Sequence, residues 1–225
     1  FLIKTIKSVK NQLYPNWQLC IADDASTDPQ IKKILEKYAS IDKRIKVAFR
    51  EKNGHISEAS NTALSMADGE WNAFLDHDDL LAENALYEVA CAINKNPDAL
   101  LIYSDEDKID VKGNRFDPHF KSGWNPDLLL SQNYICHLAT IHKSVVDKAK
   151  GFRTGVEGSQ DYDLILRCLH HLKLGQIHHI PKILYHWRAG SGSSAMDSAE
   201  KNYTTDAGIK AVSYTHLRAH ETVLD

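Results

Sequence analysis

Apolar positions along the first half of the chain follow two alternating rhythms. Leu2, Ile3, Ile6, Val9 and Leu13 recur at helical spacing from the first residues, with no capping residue ahead of them. Tyr14-Pro15-Asn16 ends this helix, and Trp17 to Ala22 reads as a strand. Asp28 followed by Pro29 is a helix start, an N-cap with proline at the first helical position; Ile31, Ile34, Leu35 and Tyr38 mark the buried face. Ile45 to Phe49 is the next strand, and Asn53-Gly54 turns into a helix through Ser57 to Ala67. Trp71 to Leu75 is a short apolar strand opening after Asp68-Gly69. Leu86, Val89, Ala90 and Ile93 define a helix stopped by Asn96-Pro97, and Ala99 to Tyr103 is a strand again. Strands alternating with helices predict an α/β fold around a doubly wound, mainly parallel sheet.

The second half is less regular. Residues 108–133 are rich in Gly, Pro, Asn and Trp without a clear period, the mark of a long functional connection. Tyr134 to Ile141 resembles a strand, although His137 falls inside it. A polar, glycine-bearing loop from Gly155 to Gln160 precedes a helix that begins near Asp161 and carries Leu164, Ile165, Leu166 and Leu169. Ile177 to Ile180 and Ile183 to Trp187 are two short strands around Pro181, and residues 190–194 have loop composition.

Composition narrows the class. A chain of 225 residues, 43% of them hydrophobic, can bury a full core as one domain. A net charge of -3 gives no basic footprint for nucleic acid. No apolar run approaches the roughly 20 residues that span a bilayer. Cys20, Cys91, Cys136 and Cys168 are widely spaced without a C-x-x-C, which reads as free thiols in a reducing compartment. The pairs His170-His171 and His178-His179 lack the usual spacing of zinc ligands.

The chemistry concentrates where strands end. Asp76, Asp78 and Asp79 follow the strand from Trp71 at once, and carboxylates so placed repel each other unless a cation sits among them. A hard divalent ion shared with a substrate phosphate is the usual answer; a solvated acidic turn is the alternative. A second acidic strand end, Asp23-Asp24, repeats the grammar, and two such ends suggest one site at the carboxyl edge of a sheet. The strand from Ala99 is again followed by acids, Asp105-Glu106-Asp107.

These landmarks, in this order, resemble the inverting glycosyltransferases of family 2, with the GT-A nucleotide-sugar fold. Ser8-Val9, Gln12, Tyr14, Asn16-Trp17 and Asp23-Asp24-Ala25-Ser26-Thr27-Asp28 look like the family's first helix, second strand and nucleoside-binding loop. Asn53-Gly54 through Asn61 looks like its donor-contacting helix start, and Asp76-His77-Asp78-Asp79 like its metal-binding Asp-x-Asp. Gly158-Ser159-Gln160-Asp161-Tyr162-Asp163 resembles the motif that supplies the catalytic base, and Tyr185-His186-Trp187-Arg188 the C-terminal His/Arg motif. Residues 104–108 and 124–129 are similar to a bacterial subgroup that builds surface polysaccharides.

The resemblance implies a single domain over residues 1–208, with a donor half to about 107 and a smaller acceptor-side region beyond it. It implies a Mn or Mg ion held by Asp78 and Asp76 with His186 as third ligand, and donor contacts from Asp23, Asp24, Asn61, Asp76 and Arg188. Asp161 would be the catalytic base, and Trp124, Gln160 and Tyr134 would meet the acceptor. Each has a plainer reading: an Asx turn for Asp23 and Asp24, helix N-capping for Asp161, dipole compensation for Asp163, core packing for Trp124 and Tyr134, an exposed strand end for His186 and Arg188. The implied partners are a nucleotide-sugar donor and a saccharide or lipid-linked acceptor. The implied location is cytoplasmic, at the inner face of the cell membrane. A catalytically silent nucleotide- or sugar-binding module is the alternative reading. The family's first strand should precede Phe1. Residues 212–222 lack the expected helical continuation and read either as a non-native tail over 209–225 or as a divergent terminus.

Overall fold

The computed structural model describes residues 1–189 and 206–214. In chain order the elements are α1 (Leu2–Lys10), β1 (Leu19–Asp23), α2 (Pro29–Ile41), β2 (Ile45–Phe49), α3 (His55–Ser65), β3 (Trp71–Ala73), β4 (Leu80–Leu81) and α4 (Ala85–Lys95). There follow β5 (Leu101–Ile109), β6 (Arg115–His119), α5 (Pro126–Ser131), β7 (Ala139–His142), α6 (Lys143–Lys148), α7 (Gln160–Leu169) and β8 (Ile177–Arg188). Residues 206–214 add a helix, α8.

Local chemistry explains several boundaries. Asp28 accepts a hydrogen bond from the Gln30 N–H at 2.9 Å, and Pro29 opens α2 without wasting a donor. Asn125 and Pro126 repeat the device at α5, where the Asn125 side chain accepts from the Leu128 N–H. Gln12 ties α1 to the segment after β4, donating to the Ala82 carbonyl and accepting from the Leu86 N–H.

The pairing of the strands is mixed. β1 and β2 form a parallel pair of their own. The larger sheet runs β3-β7-β5-β8-β4, with β6 on β5. Only β5 and β8 are parallel within it; the pairs β3–β7, β5–β7, β4–β8 and β5–β6 are antiparallel. The α/β architecture holds, with the parallel pairs β1–β2 and β5–β8 and with antiparallel neighbours beside β5 and β8. Parallel order was inferred from alternation in the first half, whereas β7 comes from the irregular half and lodges between β3 and β5. Leu101, Tyr103, Ile135, Ile141, Leu164 and Ile165 belong to the core on one side. Val9, Leu81, Val89, Ile102 and Leu184 belong to a second cluster, and Ile6, Leu35 and Ile45 to a third between α1, α2 and β2.

Other boundaries also move. The acids 105–107 lie inside β5, not beyond it, and the two strand candidates around Pro181 are one strand, β8. Residues 108–133 contain β6 and α5, and the strand from Tyr134 shortens to Ala139–His142. Residues 212–214 are helical: Ala211 is fully buried and Val212 packs on the first core, so helix continues where none was expected. Residues 190–194 and 215–225 lie outside the described residues.

β1 and β3 do not pair. A cavity of about 1250 Å³ runs from the gap between them, walled by Leu19 and Cys20 of β1, Trp71 and Ala73 of β3, Leu64 of α3 and Val89 of α4, to the residues beyond the end of β3. The slot is the gap between β1 and β3 alone. Two facing strand edges flanked by helices are a template for main-chain pairing. We propose that one further extended strand belongs in this slot. Supplying an apolar strand ahead of α1 is expected to raise the melting temperature by several degrees, as burial of the slot's walls requires. An unchanged melting temperature would refute the assignment.

Candidate active site

The site is built around three consecutive acids buried in β5. Asp105, Glu106 and Asp107 are 2%, 5% and 3% exposed, so each needs a partner. Asp105 accepts from the Lys121 N–H at 2.9 Å and lies 2.7 Å from His179 Nε2. Asp107 lies 2.5 Å from His186 Nδ1 and accepts from Arg115 Nε at the same distance. Glu106 stands 3.0 Å from His137 Nδ1, 3.4 Å from His119 Nδ1 and 3.6 Å from Lys121 Nζ. Burial pushes the Glu106 carboxyl up, but these hydrogen bonds and charges outweigh it and hold the group well below the usual carboxylate range.

Glu106 aims His137 into the large cavity. The imidazole stacks on the Tyr185 ring, centroids 4.5 Å apart and planes 13° apart. Burial pulls its pKa down, yet the Glu106 hydrogen bond and charge, helped by Asp76 and Asp161, raise it to about 9. At neutral pH His137 is therefore a cation facing carboxylates.

The acidic turn hangs from β8. The Asp79 carboxylate accepts from the Tyr185 hydroxyl and from the Arg188 N–H, both at 2.6 Å. Tyr185 in turn accepts from the Asp76 N–H. Arg188, 2% exposed, donates from Nε to the Asp78 carbonyl at 2.6 Å and from NH1 to the Asp110 carbonyl at 3.0 Å. Burial lifts the Asp79 pKa to about 6 despite its two donors. Asp76 and Asp78 line the cavity, and among the described residues no hydrogen bond engages either carboxylate. Ligand atoms of Asp76, Asp79 and His137 lie within 4.8 Å of one another. The donor set suits a hard divalent ion on its oxygen side. The proton on His137 makes that residue a counter-charge before it is a ligand. His186 is not among these three; its Nδ1 faces Asp107, which leaves Nε2 uncommitted among the described residues.

Asp161, in the first turn of α7 beside Gln160, also lines the cavity. Its carboxylate accepts from Asn133 Nδ2 at 2.8 Å. Burial raises its pKa, and the charge of His137 opposes the rise. Asp163 faces elsewhere: fully buried, it lies 2.7 Å from Arg167 and 3.4 Å from Arg153.

A family model described as glycosyl transferase family 2 matches residues 1–149. The chain belongs to glycosyltransferase family 2. A Sinorhizobium fredii protein designated y4gI is 50% identical over 211 residues, 94% of this chain and 23% of that protein. The O-antigen biosynthesis protein RfbC of Myxococcus xanthus is 37% identical over 222 residues, 99% of this chain and 17% of its own length. The chain thus spans about a fifth of these relatives. Among solved structures, S. aureus TarS 1-349 in complex with UDP-GlcNAc superposes with a TM-score of 0.74 at 20% identity, over 96% of this chain and 62% of that one. A mannosyltransferase from Pyrobaculum calidifontis, in complex with GDP-Man and Mn2+, gives 0.61 at 17% identity, covering 82% and 52%. The shared fold is of the GT-A type.

Within this family-2 domain several expected donor and acceptor residues serve the framework. Asp24 accepts from the Gly54 N–H with both oxygens at 3.0 Å and pairs with Arg50 at 2.8 Å, locking the turn before α3 to the end of β1. Asp23 receives the Ser26 N–H at 3.4 Å, the Asx-type contact. Asn61 uses its amide within the chain, donating to the Phe152 carbonyl and accepting from the Phe152 N–H, both at 2.8 Å. Tyr134, 2% exposed, has no ring face open to a sugar, and its hydroxyl accepts from the Asn125 N–H. Trp124 packs against the same core. Gln160 lines the cavity while accepting from the Gly158 N–H. Sequence reasoning missed His137, Glu106 and Asn133 as site residues. The signal was a histidine inside an otherwise apolar run, downstream of an acid triplet.

Replacing Asp163 with alanine should cost about 3 kcal/mol in urea unfolding, because Arg167 and Arg153 lose a buried counter-charge. Nucleotide binding by the folded variant should persist. A stability within 0.5 kcal/mol of wild type would contradict this assignment.

Proposed function

We propose that this domain transfers a sugar from a nucleotide-diphosphate donor to a hydroxyl of a saccharide or lipid-linked acceptor, with inversion and with help from a Mn or Mg ion. The observation that carries the reading is the convergence of Asp76, Asp78, His137 and Asp161 on one cavity. The ligands bound to the structural neighbours, UDP-GlcNAc and GDP-Man with Mn2+, agree with it.

In a single displacement the acceptor oxygen attacks the anomeric carbon as the bond to the diphosphate oxygen breaks on the other face. Asp161 takes the proton from the attacking hydroxyl. A carboxylate whose pKa is raised by burial is a stronger base than one in water, and Asn133 fixes its orientation. A divalent ion, when bound by the acidic turn, would neutralise charge developing on the leaving diphosphate. His137 adds a fixed positive charge on the same side, held by Glu106. Arg188 acts by holding Asp78 and Asp79 in place.

Mass spectrometry of products formed from a panel of UDP- and GDP-sugars with Mn or Mg tests the reading directly. Nucleotide binding without any product would favour the silent module.

Asp161→Asn should lower turnover by about 10²- to 10⁴-fold with donor affinity close to wild type. Turnover within a few-fold of wild type would remove Asp161 from the base role. In the wild type, kcat/KM should rise with pH through a pKa above the ordinary aspartate range, since the base works deprotonated and burial raises it. This acidic limb should vanish in Asp161→Asn; its persistence would assign it to another group.

Asp78→Asn should weaken metal-dependent UDP binding severely, one hard ligand having been lost. Equal affinity in calorimetry with Mn would move the ion to the other carboxylates.

A further inference from the structure

A second cavity, of about 330 Å³, lies beyond the wall of the large one. Its lining includes Glu106, Asp107, Lys108, Asp117, His119 and Trp187. Trp187 lines both cavities. The partition is completed by Glu106, on the small side, bonded to His137, on the large side. β6 forms the outer wall, and all five of its residues are exposed.

We propose that this cavity is a subsite for a sugar ring of the acceptor, with the Trp187 indole as the platform on which the ring's C–H face packs. The volume falls near the lower end of the roughly 300–1,000 Å³ typical of ligand pockets, the size of a single ring rather than a nucleotide. The charges select the ligand class. Three carboxylates against Lys108 and His119 repel a phosphate, whereas carboxylates, an ammonium and an imidazole together suit a neutral polyol whose hydroxyls both donate and accept. Lys108 and Asp117 already pair at 2.7 Å, and Lys108 Nζ stands over the Trp187 ring, 5.8 Å from its centre, so an ammonium donor faces the platform. Among the described residues no hydrogen bond engages the Trp187 indole N–H, leaving it as a further donor.

This assignment rests on the proposed transfer, since a saccharide acceptor carries further rings beyond the one whose hydroxyl reacts. The test uses the whole chain with a panel of methyl glycosides of glucose, galactose, mannose, rhamnose and N-acetylglucosamine. Saturation-transfer NMR should show contact to ring protons of at least one member, with quenching of tryptophan fluorescence. Trp187→Ala should abolish the contact, Trp187→Phe should retain part of it, and His119→Ala, at a half-exposed rim position, should weaken it several-fold. With a transfer assay in hand, the same rim variant should raise acceptor KM several-fold more than donor KM. Glycoside contact undiminished in Trp187→Ala and His119→Ala, or no contact in a wild type that binds UDP, would overturn the subsite. Failure of the transfer reading would show differently, as absent turnover with these glycoside contacts intact.

Discussion

The structure depends on satisfying three adjacent acidic side chains inside its central strand. An isolated buried carboxylate would cost several kcal/mol, so residues 105–107 recruit cations and donors from four separate stretches of chain. Lys121 and Arg115 come from the β6 hairpin and its exit, His137 from the approach to β7, and His179 and His186 from the two ends of β8. Satisfying these acids therefore fixes the relative positions of the irregular segments. The same contacts leave His137 charged and pointed at the cavity, so a framework requirement also sets the field of the site.

A parallel economy holds the acidic turn. Asp79, lying at the core, spends its oxygens on Tyr185 and Arg188, and its neighbours Asp76 and Asp78 are left facing the cavity. Carboxylates anchored through their backbone need no rearrangement to receive a cation, which is the sense in which such a site is preorganised. Asp161 enjoys similar support from Asn133, but at a helix start, so its position is set by elements other than the turn.

Much of the first half was legible because its signals are local. The Asp28-Pro29 cap, the strand from Ile45 to Phe49 and the helix stopped by Asn96-Pro97 need only short-range chemistry, and all three stand where the pattern put them. The acidic turn and Asp161 were legible as strand-end and helix-start carboxylates. What pattern could not reveal was the destination of long-range side chains. Asn61 bridging to Phe152, 91 residues away, looks identical in sequence to a donor contact. Likewise, Asp105, Glu106 and Asp107 read as acids beyond the end of a short strand because polarity alone does not disclose partners that lie up to 79 residues away. The place of β7 between β3 and β5 is non-local in the same way, and it sets antiparallel pairs beside the parallel pair β5–β8.

β8 contributes Tyr185, His186, Trp187 and Arg188 as four successive residues, each with a different obligation. Tyr185 and Arg188 serve Asp79, His186 serves Asp107, and Trp187 divides two cavities. Because neighbours on a strand face opposite ways, deleting or inserting one residue between Ile183 and Arg188 would exchange every one of these roles at once. Length variation among descendants of this chain should therefore collect in the turn at 170–176 ahead of the strand. The four-residue stretch itself should tolerate substitution of one role at a time and almost no change in spacing.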